Sequence, residues 1–340
     1  MDAASLHWLA SSGLIIVVGA AVTSFFLSLL LSPLLRRHAL AHPNVRSSHK
    51  IPTPQGGGIA VIAAAIGVVM VAMLVSRTDF TQSFWLVLTA TLLIAAVGAV
   101  DDLRSIPVVP RLLLQTIAVA MVVAALPGGL RVVPLLPFWL ERVLVVLGLL
   151  WFVNLTNFMD GLDWMTVTEV VPVSAGLALF GLMGMLPREA TAVALALGGA
   201  MIGFAPINRP VARMFLGDVG SLPIGLALGW LLIMLAAGGH LAAAILLPLY
   251  YLADATITLI RRLGNGEPVL RAHRSHFYQR ATDNGYSVMQ VVGRVFLLNI
   301  GLLMLAAATV STPSPLMQAV ALIVGAGLVA WLLYRFAAEA

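Results

Sequence analysis

The chain has 340 residues, of which 61% are hydrophobic and 10% charged. A soluble domain carries about 25% charged residues, so repeated apolar runs near twenty residues predict an all-α, polytopic membrane protein and exclude domain counting by soluble length. Cysteine is absent, which excludes disulfides, thiolate metal sites and a cysteine nucleophile. The net charge of +5 lies in short loops between apolar runs. That pattern fits membrane topology and anionic headgroups or phosphates, not nucleic acid.

The first span runs from Ser12 to Leu35. No Lys or Arg precedes it, so it lacks the basic leader of a cleaved signal peptide, and Arg36 and Arg37 follow it. The N-terminus is therefore expected outside, in the periplasm, with residues 36–56 in the cytoplasm. Further spans are expected at about Gly57–Val75, Gln82–Val100, Arg111–Leu126 and Phe138–Val153. The remainder are expected at about Val167–Leu186, Ala190–Phe204, Val219–Ala237, Leu241–Ile260, Val288–Ala308 and Leu316–Tyr334. That makes about eleven helices in one domain covering residues 1–340, with no internal repeat or linker. Loops after odd-numbered spans then face the cytoplasm, and they carry most of the nineteen basic residues.

The polar residues gather in those same loops. Asn154, Asn157, Asp160 and Asp163 recur every third position, so neighbours among them lie close on a helix surface. Carboxylates beside hydrocarbon default to a functional reading, although Asn and Asp also cap helix ends. Oxygen ligands of this kind suit a hard cation such as Mg²⁺, which keeps waters and bridges substrate phosphates. Asp101 and Asp102 end an apolar helix, where negative charge is disfavoured, and two adjacent acids on a helix need different partners. Lys50, the only lysine, precedes a Gly-rich turn through Gly56, Gly57 and Gly58. Such a turn offers backbone N–H groups to phosphate, and glycines equally let membrane helices pack closely. Asp218 stands where it can either cap the eighth helix or coordinate a metal beside a phosphate. Phe215 is either a lipid-facing aromatic or a stacking surface for a base. Asp254, about two turns before Arg261, reads as a buried charge pair or a helix–helix hydrogen bond. His273, Arg274 and His276 sit in the largest cytoplasmic loop and suit a diphosphate, or else a basic surface on anionic lipid. The oxygen-rich surroundings favour Mg²⁺ or Mn²⁺ over zinc.

As an ordered set, these loops resemble the polyprenyl-phosphate N-acetylhexosamine-1-phosphate transferase family (glycosyltransferase family 4). Lys50 to Gly58 is similar to the family's Lys-x-Pro-Thr-Pro-x-Gly-Gly loop, and Asp101-Asp102 to its paired acids. Asn154, Asn157, Asp160 and Asp163 match its Asn/Asp loop. Asn208, Phe215, Gly217 and Asp218 match the segment with its metal-binding Asp, and His273 and His276 its histidine loop. Two positions depart from the peptidoglycan branch: Ser105 stands where that branch has a Lys, and Arg274-Ser275 separate histidines that are contiguous there. The His-Arg-Ser-His-Phe-Tyr-Gln form resembles the polysaccharide and O-antigen-initiating branch, which includes members proposed to use 6-deoxy N-acetyl sugars.

The resemblance implies transfer of N-acetylhexosamine 1-phosphate from a UDP-sugar to undecaprenyl phosphate, with release of UMP, in the bacterial inner membrane. It implies catalytic roles for Asp101, Asp102, Asp160, Asp218, His273 and His276, with Asp218 and Asp101 on Mg²⁺ or Mn²⁺. It implies substrate contacts for Lys50, Thr53, Asn154, Asn157, Asp163, Asn208, Phe215 and Arg274, with Phe215 stacked on uracil and Asp163 near the nucleotide. The partners are the UDP-sugar, undecaprenyl phosphate and membrane lipid, without nucleic acid, and a homodimer is compatible with them. Two alternatives stay open. One is the phospho-N-acetylmuramoyl-pentapeptide transferase of peptidoglycan synthesis. The other is a secondary transporter, which would place its polar groups near the midplane in matching halves.

Overall fold

The computed structural model describes residues 3–41, 52–78, 80–268 and 273–338. Lys50 lies outside the described residues. The chain forms α1 (Ala3–His38), β1 (Leu40–Ala41), β2 (Thr53–Pro54), α2 (Gly58–Val75), α3 (Gln82–Leu103), α4 (Val108–Ala125) and α5 (Phe138–Met159). It continues with α6 (Met165–Leu182), α7 (Arg188–Phe204), α8 (Asp218–Leu235), α9 (Leu241–Leu246) and α10 (Leu249–Gly264). The last elements are α11 (Phe277–Asp283), α12 (Val288–Ser311) and α13 (Pro315–Ala337). The protein is all-α apart from one two-stranded ribbon, in which Leu40 pairs with Pro54 and Ala41 with Thr53.

Among the described residues, nine helical stretches are long and apolar enough to cross a membrane. The expected seventh span is present as α7, with 17 residues. The expected ninth span is not one rod. Gly239, at φ +93°, turns the chain after α8, and Pro248 then separates α9 from α10. Proline has no N–H to continue a helix, so a proline among apolar residues breaks the run without changing its hydropathy. The fifth helix also outruns its expected end at Val153 and reaches Met159, which puts Asn154 and Asn157 on its last two turns.

α8 is the centre of the bundle, and α2, α3, α5, α6 and α7 pack around it. Small residues set how close they come, as in membrane helices generally. A Cβ on Gly58 would lie 2.2 Å from the Cα of Gly220, so the start of α2 meets the first turn of α8 backbone to backbone. A Cβ on Gly98 would lie 2.3 Å from the carbonyl oxygen of Asp218. Gly98 is one turn before Asp101 and Asp102, so this contact delivers both acids to the start of α8. The polar ends of α3, α5, α8 and α10, with α11, thereby meet at one end of the bundle.

Candidate active site

The two adjacent acids of α3 have different partners, as their spacing predicts. Asp101 Oδ1 accepts the backbone N–H of Ile106 at 2.5 Å, and Oδ2 accepts Arg111 Nη1 at 2.7 Å. Asp102 faces away from Arg111. Its Oδ1 accepts the N–H of Asp218 at 2.9 Å and its Oδ2 that of Val219 at 3.1 Å. These are first-turn donors of α8 with no partner inside the helix. Asp102 therefore ties α3 to α8, while the Gln55 side chain holds the Asp102 carbonyl at 2.7 Å. Gly217 has φ +77°, and a Cβ there would lie 2.5 Å from Asp102 Oδ2.

With Asp102 as the outside cap, the Asp218 carboxylate does not cap its own helix. Its Oδ1 accepts Asn157 Nδ2 at 2.7 Å, and Asn157 also reaches Ser221 Oγ at 2.9 Å. Its Oδ2 lies 3.8 Å from Arg111 Nη1, so one guanidinium stands between Asp101 and Asp218. Arg111, marked in the sequence only as a helix start, is thus a site residue. Asn154 is braced by Gln115 at 2.8 Å.

Asp160 follows α5 and accepts a hydrogen bond from the Thr166 hydroxyl. Burial first, and then the charges of Asp218, Asp102 and Asp163, push its carboxyl up to about 8, against the Thr166 hydrogen bond. It therefore holds its proton at pH 7 while no cation offsets those neighbours. The next residues stitch two loops together. Asp163 Oδ2 accepts the N–H of Ala212 at 3.0 Å. Asn208 accepts the N–H of Trp164 at 2.8 Å and donates to the Met214 carbonyl at 3.1 Å. Trp164 sits at φ +64°, and its indole N–H reaches the Ala205 carbonyl at 2.6 Å. A bulky residue is uncommon in that region and is held there by its surroundings.

The Gly-rich turn is also spoken for. The N–H groups of Gly57 and Gly58 donate to the carbonyls of Phe215 and Leu216 at 2.9 and 2.8 Å. They hold the two loops together and are not free for a phosphate. Phe215 returns the contact through its own N–H to the Pro54 carbonyl at 2.8 Å, and Thr53 is buried beside it in β2.

The histidine loop is anchored by Asp254, whose partner is the loop and not Arg261. Asp254 Oδ1 lies 3.3 Å from His276 Nδ1 and accepts the Phe277 N–H at 3.0 Å, and Oδ2 accepts the Tyr278 N–H at 3.1 Å. Tyr278 carries the anchor onward by donating to the Phe158 carbonyl at 2.9 Å. A Cβ on Gly161 would lie 2.2 Å from the Tyr278 hydroxyl oxygen, so glycine is what lets α11 dock there. His273 stacks on His276 at 4.9 Å and shares a proton with Ser275 across 2.8 Å. Burial and the neighbouring His276 bring its imidazole down to about 4, so it is neutral at pH 7 while no anion lies beside it. Arg274 turns to α11, with Nη1 3.0 Å from Asp283 and Nη2 3.0 Å from Thr282. Both Nη atoms of Arg274 are thus engaged within the histidine segment.

A cleft of about 670 Å³ joins these groups. Its polar lining includes Asp101, Arg111, Asn154, Asn157, Asp218, His273 and His276, and its apolar lining includes Leu112, Leu147, Leu150, Trp151 and Leu259. Asp102 stands behind it, while Thr53, Asp160, Asp163, Asn208, Phe215 and Arg274 do not line it. Among the described residues, no three His, Cys, Asp or Glu side chains already surround one cation-sized point. What the cleft offers is two carboxylates with an amide beside them. That set fits Mg²⁺, which takes one or two carboxylates and completes its shell with water and phosphate.

Residues 84–236 match a family described as glycosyl transferase family 4. A probable undecaprenyl-phosphate N-acetylglucosaminyl 1-phosphate transferase of Bacillus subtilis is 25% identical, over 86% of this chain and 86% of its own. A decaprenyl-phosphate N-acetylglucosaminephosphotransferase of Mycobacterium leprae is 26% identical, over 82% of this chain and 79% of its own. A phospho-N-acetylmuramoyl-pentapeptide-transferase of Desulfotalea psychrophila is 29% identical, over 86% of this chain and 92% of its own.

Proposed function

Because the chain belongs to glycosyl transferase family 4, the polyprenyl-phosphate hexosamine-1-phosphate transferases, we propose that it transfers N-acetylhexosamine 1-phosphate from a UDP-sugar to undecaprenyl phosphate. The sugar is N-acetylglucosamine or a 6-deoxy N-acetyl sugar, and the lipid product starts a cell-surface polysaccharide such as O-antigen. The observation that carries this reading is the mixed lining of the cleft. Carboxylates, Arg111 and the histidines share it with apolar side chains of α4, α5 and α10. A polyprenyl phosphate likewise joins an anionic head to a hydrocarbon tail. A transporter site would lie near the midplane between matching halves.

In the reaction, an oxygen of the lipid phosphate bonds to the β-phosphorus of the UDP-sugar. The bond from that phosphorus to the bridging oxygen breaks, and UMP leaves with the electron pair. A phosphate monoester is mostly dianionic at pH 7, so no side chain has to remove a proton from it. Transfer of this kind depends on positioning and charge neutralisation. Asp218 and Asp101 are the residues that would hold Mg²⁺, and the ion would supply charge neutralisation on the diphosphate. Asn157 orients Asp218, Asp102 fixes the position of α8, and Arg111 presents its guanidinium to phosphate oxygens. His276 and His273 close the other side.

The test is a panel of UDP-sugars given to the purified protein with radiolabelled undecaprenyl phosphate. A lipid-linked product from UDP-N-acetylglucosamine or a 6-deoxy analogue is expected. Product from UDP-N-acetylmuramoyl-pentapeptide alone selects the peptidoglycan reaction instead, which the Desulfotalea relative keeps in view. No product with any donor rejects both.

We place the cleft on the cytoplasmic face of the bacterial inner membrane, where nucleotide sugars are. Since the chain has no cysteine, single cysteines at Ser105 and Ser275 should react with an impermeant maleimide only in inside-out vesicles. One at Ser314 should react only from the outside. Labelling of Ser105 or Ser275 from outside would overturn this sidedness.

A further inference from the structure

Asp254 is completely buried in α10, where an isolated carboxylate would be strongly disfavoured. Five donors surround it. Oδ1 accepts the Phe277 N–H at 3.0 Å, Thr258 Oγ1 at 3.3 Å and His276 Nδ1 at 3.3 Å. Oδ2 accepts the Tyr250 hydroxyl and the Tyr278 N–H, each at 3.1 Å. Capping of α11 explains the two backbone contacts, and the hydroxyls come from one turn either side on α10 itself. The remaining contact, to His276, has a chemical consequence. An ionised carboxylate only accepts hydrogen bonds, so Nδ1 of His276 must be the nitrogen that carries hydrogen.

We propose that Asp254 is a positioning residue that fixes His276 as the Nδ1–H tautomer and leaves its Nε2 at the cleft as a lone-pair acceptor for a hydrogen-bond donor of the bound substrate. The identity of that substrate donor rests on the function proposed above, whereas the tautomer does not. The His276 ring is held on every side: by Asp254 below, by His273 stacked at 4.9 Å, by Tyr278 at 5.8 Å and by Phe158 at 6.3 Å. The charged groups across the cleft are Asp101, Arg111 and Asp218, and none bonds to either nitrogen of the ring. An imidazole in water favours the Nε2–H form, so the structure demands the less common tautomer. Asp254 is the only carboxylate bonded to it among the described residues.

Two measurements test this on the full chain in detergent. The first is ¹⁵N NMR of the histidine rings, with His276 assigned from its loss in His276→Gln. The Nδ1–H pattern is expected in the wild type and the Nε2–H pattern in Asp254→Asn. The second is a double-mutant cycle on kcat/KM. Removing an orienting partner behind a site group lowers function about ten- to a hundredfold, so Asp254→Asn should lose that much in the wild type. In a His276→Gln background the same substitution should change kcat/KM by less than about twofold, because acting through one residue is non-additive. Equal losses in both backgrounds would make Asp254 a fold anchor only, and an Nε2–H ring in the wild type would also overturn the proposal. Should Asp254→Asn not fold, the wild-type spectrum alone decides. Should no donor be turned over, the proposed function fails and the spectrum still decides the tautomer.

Discussion

Asp218→Asn is expected to lower kcat/KM by about a hundred- to a thousandfold, while the purified protein melts at an unchanged temperature. The two outcomes separate because of what each part of Asp218 does. Its backbone N–H is held by Asp102, and that contact survives the substitution. Its Oδ1 accepts from Asn157, and an amide oxygen accepts equally well. Only the charge is lost, at a point facing the cleft beside Asp101. Removing one preorganised electrostatic group from a reacting centre has an effect of this size. Excess EDTA should abolish turnover of the wild type, and Mg²⁺ or Mn²⁺ should restore it. Full turnover in EDTA would remove the metal from the mechanism. A normal rate in Asp218→Asn would remove this residue from it.

Arg111→Met should lose about ten- to a hundredfold in kcat/KM, and Arg111→Lys distinctly less. One charge-assisted hydrogen bond contributes about 1.5–3 kcal/mol, which gives that range. Arginine spans from Asp101 at 2.7 Å to Asp218 at 3.8 Å with a planar fork. Lysine keeps the charge but can serve only one of the acids well. The informative control is a Mg²⁺ titration. If Arg111 only balances the two carboxylates until a metal arrives, saturating Mg²⁺ will return Arg111→Met to the wild-type rate. If it also contacts a phosphate oxygen, the deficit persists at every Mg²⁺ concentration, and that is the expected result.

Hydropathy made the helical class legible, because hydrocarbon leaves a spanning backbone few options. The loops carrying Asp101, Asn157, Asp218 and His276 were legible for a related reason: polar groups at the ends of apolar helices stand out. The division of labour within each loop was not. Asp101 and Asp102 are the same residue type in adjacent positions, yet one faces the cleft and the other caps α8 across 116 residues of chain. Arg111 looked like a span boundary because its partner lies on the preceding helix. Asp254 was read as a helix–helix contact, and it is one, but its partners at 276–278 lie in a short helix, α11, that no hydrophobic periodicity announces. Arg274 looked like a phosphate ligand on chemistry alone, and nothing in the sequence announced that its two Nη atoms would reach Asp283 and Thr282 on α11.

The glycine contacts of α2, α3 and α8 bear on how the molecule can move. Where Gly58 meets Gly220 and Gly98 meets the Asp218 carbonyl, main chain touches main chain, with no side-chain torsion between them to readjust. Rotamer changes, the usual means of sliding one helix over another, are missing at that seam. The acids of α3 and α8 therefore share one stiff reference frame. The histidine segment is joined to that frame differently, through the side chains of Asp254 and Tyr278.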